Sequence, residues 1–169
     1  MKILIPVDGS GLALDALSHA LELVREGLSA DFVLANVQEP ASFYELFTTR
    51  DPEVVRVASA EAGAHMLEPA AARCREAGVA FELEVGLGDP VNTLNDIVER
   101  FQCDAVIMGA KGHGAMSSAL LGSVSQRMTH DARVPVTIVK HPEFDEARDS
   151  DMAGDADQDG GDTGGELRP

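Results

Sequence analysis

Ala105-Val106-Ile107-Met108-Gly109-Ala110-Lys111-Gly112-His113-Gly114, followed after a short interval by Leu121-Gly122-Ser123-Val124-Ser125, is the stretch on which the reading of this chain turns. The apolar run Ala105–Met108 reads as a buried strand. A loop punctuated by glycine follows, and a helical pattern opens at Ser123. Strand, glycine loop and helix start make an arrangement suited to phosphate. Glycines let the backbone approach a ligand closely, and the N–H groups of a helix start attract an anion. The spacing is Gly109, two residues, Gly112, nine residues, then Gly122-Ser123.

Working outward, Lys2–Val7 is a first strand, and Ser10 caps a helix that runs to about Glu26 and stops at Gly27. Phe32–Val37 is the second strand. Asp51 and Pro52 fit the N-cap and first position of a second helix reaching about Ala77, with Pro69 expected to kink or divide it. Gly78 closes that helix. Val79–Val85 alternates apolar and polar residues, as a strand at a sheet edge does. Asp89-Pro90 opens a third helix ending near Phe101, before the strand Asp104–Met108. Ser123–Ala132 is the fourth helix, with Ser123 and Gln126 spaced as a capping box. Val134–Lys140, with Pro135 at its beginning, is the fifth strand. Strands alternating with helices imply an α/β fold with a mostly parallel sheet covered on both faces.

Composition sets limits. The 169 residues are 44% hydrophobic and carry a formal charge of -16, and half of that charge sits in residues 141–169, with ten acids against two bases. Such a balance argues against nucleic acid and anionic membranes as partners. The division is a folded domain over 1–142 and an acidic tail over 143–169, too poor in apolar residues to order itself. Cys74 and Cys103 fit reduced, partly buried thiols in the cytoplasm rather than a disulfide framework. The N-terminus does not read as a signal peptide, and no apolar run nears the ~20 residues of a membrane span. The histidines at 19, 65, 113, 130 and 141 show no metal-ligand spacing. P-loop, dinucleotide and nucleophile-elbow signatures are absent from the sequence. The segment Gln38–Arg50, with Phe43, Tyr44 and Phe47, reads as a cover over the core, a flap over the site or a partner surface.

In an open α/β sheet, ligands bind beyond the carboxyl ends of the strands, where the strand order reverses. Strands one and four as neighbours would bring Val7-Asp8-Gly9-Ser10 against the glycine loop. Asp8 then has two readings. It can be a turn residue bonded to its own backbone, or a carboxylate that takes ribose hydroxyls or a magnesium ion bridged to phosphates. Ser125 could add a hydroxyl, and Lys111 is a phosphate contact or a solvated surface cation.

Several segments together resemble the universal stress protein family in its ATP-binding branch. They are Lys2–Ser10, Gly88-Asp89-Pro90, Asp104–Gly109, Leu120–Val124 and Val134–Lys140, spread over residues 1–140. The resemblance implies a five-stranded Rossmann-like sheet in the order 3-2-1-4-5 and a homodimer formed through strand 134–140. It implies ATP with magnesium, with adenine on backbone near Val7 and Val37, ribose at Asp8, and phosphates at Gly109, Gly112, Gly122, Ser123 and Ser125. Pro6, Met108, Lys111 and Val124 complete the candidate binding set, and Asp8 is the candidate metal contact through nucleotide-bound magnesium. Ala110 departs from the serine common at that position, removing a hydroxyl but not the backbone geometry. The implied function is a nucleotide-dependent stress-response regulator or sensor with an unknown protein partner and no catalytic residue. The alternatives are a slow ATP hydrolase or self-phosphorylating protein, and a partner-binding scaffold without nucleotide.

Overall fold

The computed structural model of the chain describes residues 1–39, 52–112 and 121–140. The readings of residues 40–51, of His113 and of the tail from 143 fall outside these. The elements are β1 (Lys2–Pro6), α1 (Gly11–Arg25), β2 (Asp31–Gln38), α2 (Pro52–Ala77), β3 (Phe81–Leu87), α3 (Pro90–Phe101), β4 (Ala105–Gly109), α4 (Ser123–Asp131) and β5 (Val136–Val139). They form a five-stranded sheet in the order β3-β2-β1-β4-β5, parallel at every pairing. No helix among the described residues is long and apolar enough to cross a membrane.

The central strands are apolar on both faces because both faces are covered. Ile3 and Ile5 of β1 and Phe32 and Leu34 of β2 pack with α1 and α2. Leu4, Val33, Ala35, Val106 and Met108 pack on the other face with α3 and with Met128 of α4. α1 buries Ala13, Ala16, Leu17, Ala20 and Leu21, one face at helical spacing. Its N-cap is Ser10, whose hydroxyl accepts the Ala13 N–H at 3.2 Å. Gly27, at φ +112°, takes the chain out of the helix through a conformation that side chains resist.

Pro69 does not divide α2, which runs as one element through it. Proline in a helix interior costs about 3 kcal/mol. Burying Leu67 alone recovers about 1.5–3 kcal/mol, and Ala70, Ala71 and Cys74 are buried beside it. The strand after α2 begins at Phe81 rather than Val79. Gly78 and Val79 are spent closing the helix, with N–H groups donating to Arg75 O and Cys74 O, each at 3.1 Å. β3 is an edge strand as expected, but its apolar row is only partly covered: Leu83 is 43% and Leu87 49% exposed. β5 is shorter than Val134–Lys140, although the Pro135 carbonyl still accepts the Val106 N–H at 2.9 Å. Both cysteines are free and buried, and burial pushes the Cys74 thiol up to about 11, away from the thiolate form that reacts.

Candidate functional site

The sheet order reverses between β1 and β4, so the exits of these two strands face one crevice. β1 leaves through Val7, Asp8 and Gly9, where φ is +82° at Gly9. Both readings of Asp8 have a structural basis. Its Oδ1 accepts the Ser10 N–H at 3.0 Å and the Ser10 hydroxyl at 2.6 Å, which is the turn-forming role. Its Oδ2 lies against Gly112: a Cβ on Gly112 would overlap it, well inside the 3.0 Å that real Cβ atoms respect. One oxygen thus holds the turn while the other borders the glycine loop.

β4 ends in that loop. Ala110 N–H donates to Val139 O at 2.8 Å, tying the loop's start to β5. Gly122 N–H donates to Ala110 O at 2.8 Å, so the far end of the loop returns to its beginning. α4 then starts, and its first intrahelical bond is Gln126 N–H to Gly122 O at 2.9 Å. The N–H groups of Ser123, Val124 and Ser125 precede any intrahelical acceptor, as at every helix start.

The capping box expected at Ser123 does not form. The N-cap is Gly122, which has no side chain to bond, and Ser123 is the first helical residue. No side chain therefore caps the first N–H groups of α4, where a serine at the N-cap would have covered one of them. Ser125 also differs from its expected role. Its hydroxyl is buried and donates to Ala110 O at 2.6 Å, with Gly122 O at 3.0 Å. It braces the loop and retains lone pairs but has no second proton to offer a phosphate.

These parts enclose a cavity of about 280 Å³ among the described residues. All of the candidate binding residues border it: Pro6, Val7 and Asp8 from β1 and its exit; Val37 from β2; Met108, Gly109, Lys111 and Gly112 from β4 and its loop; Gly122, Ser123, Val124 and Ser125 from the start of α4. Four further lining residues escaped the sequence reading: Ala13, Ala35, Pro90 and Leu94. Ala35 was legible in principle, since it sits two residues before Val37 on the same strand face. Pro90 and Leu94 required knowing that α3 covers this face of the sheet. The lining combines the apolar Ala35, Val37, Leu94 and Met108 with the Asp8 carboxylate, Lys111 and the start of α4. A planar heteroaromatic group joined to an anionic one matches that combination.

The start of α3 is fastened to α4 beside the cavity. Asp89 caps α3 by accepting the Asn92 N–H at 3.0 Å, and Arg127 of α4 reaches its carboxylate at 3.0 and 3.4 Å. Arg127 first, then the backbone N–H of Asn92, holds the Asp89 carboxyl below its usual range.

The chain matches the universal stress protein family over residues 1–140, and it belongs to that family. It is 31% identical over 141 residues to Universal stress protein MJ0531 of Methanocaldococcus jannaschii, which covers 83% of this chain and 82% of that relative. Among solved structures, the hypothetical protein MJ0577 aligns with a TM-score of 0.69 at 26% identity, over 83% of this chain and 95% of the other. A universal stress protein family protein from Arabidopsis thaliana, solved with AMP bound, aligns with a TM-score of 0.59 at 26% identity, over 83% and 92% of the two chains.

Proposed function

We propose that this protein binds ATP with magnesium in the crevice between β1 and β4 and acts in the cytoplasm as a nucleotide-dependent regulator of the stress response. One observation carries the reading. Residues picked from separate segments as a nucleotide set border a single cavity at the strand carboxyl ends. The apolar side chains in the lining suit adenine. The start of α4, flanked by Gly112 and Gly122, suits the phosphates. Asp8 suits a ribose hydroxyl or the magnesium that phosphates bring with them. The AMP-bound Arabidopsis relative supports an adenine nucleotide as the ligand class. Lys111 adds a cation where an acidic protein would otherwise repel a polyanion.

Two measurements test the reading. Nucleotide released from freshly purified, denatured protein should be identified by mass as ATP or ADP. Gly122→Val should fold, because a Cβ there meets nothing closer than Lys111 Cα at 3.4 Å. Its branched methyls would still crowd the helix start, so calorimetry should show ATP binding weakened at least about tenfold, roughly 1.4 kcal/mol. Binding as tight as the parent's would move the site elsewhere. Steady release of inorganic phosphate by pure parent protein would favour slow hydrolysis over sensing.

The same reading includes a homodimer through β5. This edge strand presents Val136 and Ile138 with a row of backbone groups along its outer side, the sort of edge that proteins pair or cover. A two-fold axis beside it would pair the two strands antiparallel. Light scattering of the parent at micromolar concentration should report a dimer. Ile138→Pro, which removes an N–H from the ladder, should report a monomer or insoluble protein.

A further inference from the structure

The most deeply buried polar side chain of the sheet lies behind the crevice, on the opposite face. Asn36 is 2% exposed in the middle of β2, among residues that otherwise form the apolar core. The β1–β2 ladder runs from Lys2 opposite Asp31 to Pro6 opposite Ala35, and Val7 N–H then donates to Ala35 O at 2.8 Å. Past that point a side chain spans the strands. Asn36 Nδ2 donates to the Val7 carbonyl at 2.7 Å. Val7 is the residue immediately before Asp8, and both border the cavity.

The amide is held in one orientation from three sides. Gln38 Nε2 donates to Asn36 Oδ1 at 2.6 Å, so the oxygen cannot exchange places with the nitrogen without losing both bonds. Met66 Sδ of α2 lies 3.5 Å from Asn36 Nδ2 and 3.7 Å from Gln38 Nε2, accepting from each. Gly63, one turn earlier in α2, leaves room for the arrangement. A Cβ there would stand 2.9 Å from Asn36 Oδ1 and 2.5 Å from a Val85 methyl. The amide thus directs its Nδ2 donors to Val7 O and Met66 Sδ while its oxygen accepts from Gln38, and turning it would break these bonds in a buried setting where they are not readily replaced.

We infer that Asn36 is a positioning residue for the nucleotide site, fixing the Val7 carbonyl from behind the sheet so that the Asp8 turn stays aimed at Gly112. This rests on the function proposed above. The chain of contacts is short. Asn36 holds Val7, Val7 sets the direction in which the backbone leaves β1, and the Asp8 carboxylate then closes its turn on Ser10. Without the amide, the Val7 carbonyl would be left buried and unpaired, and the strand exit would shift to find water or another donor.

Asn36→Asp separates positioning from bulk stability, because it keeps the shape and replaces the donor by an oxygen. At about pH 8 the substituted carboxylate repels the Val7 carbonyl, and ATP should bind roughly tenfold more weakly than to the parent, the factor one net hydrogen bond represents. Near about pH 5 the buried acid is protonated and can donate again, so the gap from the parent at the same pH should close to within about threefold. A second readout needs no nucleotide. Exchange of the Ser10 amide, which bonds Asp8, should accelerate about tenfold at pH 8 while that of Gln126 in α4 stays unchanged. Affinity within twofold of the parent at pH 8, or unaltered Ser10 exchange, would overturn the inference. If Asn36→Asp does not fold, Gln38→Leu removes the bond to Oδ1 from a half-buried position and should speed Ser10 exchange in the same direction; unchanged exchange there is equally decisive against it. If the parent binds no ATP, the functional proposal fails while the exchange comparison still decides the role of Asn36.

Discussion

Gly112→Val is expected to reduce ATP affinity by roughly a hundredfold or more, about 2.8 kcal/mol, with little change in melting temperature. The cause is one atom. A Cβ at residue 112 would overlap Asp8 Oδ2, so either the carboxylate swings away or the loop retreats. Swinging away breaks the alignment of Asp8 with the cavity, and retreat pulls the loop from the helix start at Gly122. The fold should survive because Gly112 is exposed and its backbone is not in the left-handed region. Gly112→Ala should fall between parent and valine, since even one methyl meets the carboxylate. Calorimetric titration with ATP beside a thermal melt measures both effects. Unchanged affinity in a folded Gly112→Val would remove Asp8 and the loop from the binding surface together.

The sequence carried the glycine loop and the Asp8 turn because their chemistry is local: a strand pattern, then residues without side chains at a fixed spacing ahead of a helix start. Strand and helix identities were legible for the same reason. What escaped depends on partners distant in sequence. Ser123 and Gln126 have capping-box spacing, yet the chain turns one residue earlier because Gly122 N–H finds Ala110 O across the loop. The Ser125 hydroxyl is taken by that same carbonyl, a contact that spacing along one helix cannot reveal. Pro69 is tolerated because the core beneath α2 outweighs it. Asn36 had a visible signal, a lone amide inside the apolar run Phe32–Val37. Its role became readable only when Val7, Gln38 and Met66 stood around it. The order of the strands is likewise not written in local pattern. It came from the resemblance, and the sheet has that order.

Gly109→Ala is expected to act in the opposite manner to Gly112→Val, costing stability first. Gly109 borders the cavity, but its missing side chain points at α1. A Cβ there would lie 2.8 Å from Leu12 O, 2.9 Å from Leu12 C and 3.1 Å from Leu12 Cβ. These are mainly backbone atoms in the first turn of α1, and that turn cannot yield cheaply. Ser10 caps it, Asp8 holds Ser10, and Ala13, Ala16 and Leu17 anchor it in the core. β4 is equally constrained, paired with β1 on one side and β5 on the other. Inserting a methyl between two such elements costs about 3 kcal/mol as overpacking, which for a chain of this size lowers the melting temperature by about 6–12 °C. Any loss of ATP affinity, measured well below the melting point, should be smaller than for Gly112→Val, because the strain enters on the α1 side and not against Asp8 Oδ2. The pair of variants therefore divides the two glycines by function, one seating a helix on the sheet and the other leaving room beside a carboxylate. A melting temperature within about 2 °C of the parent's would show that α1 moves freely over β4, and the rigid frame on which the site's geometry depends would have to be abandoned.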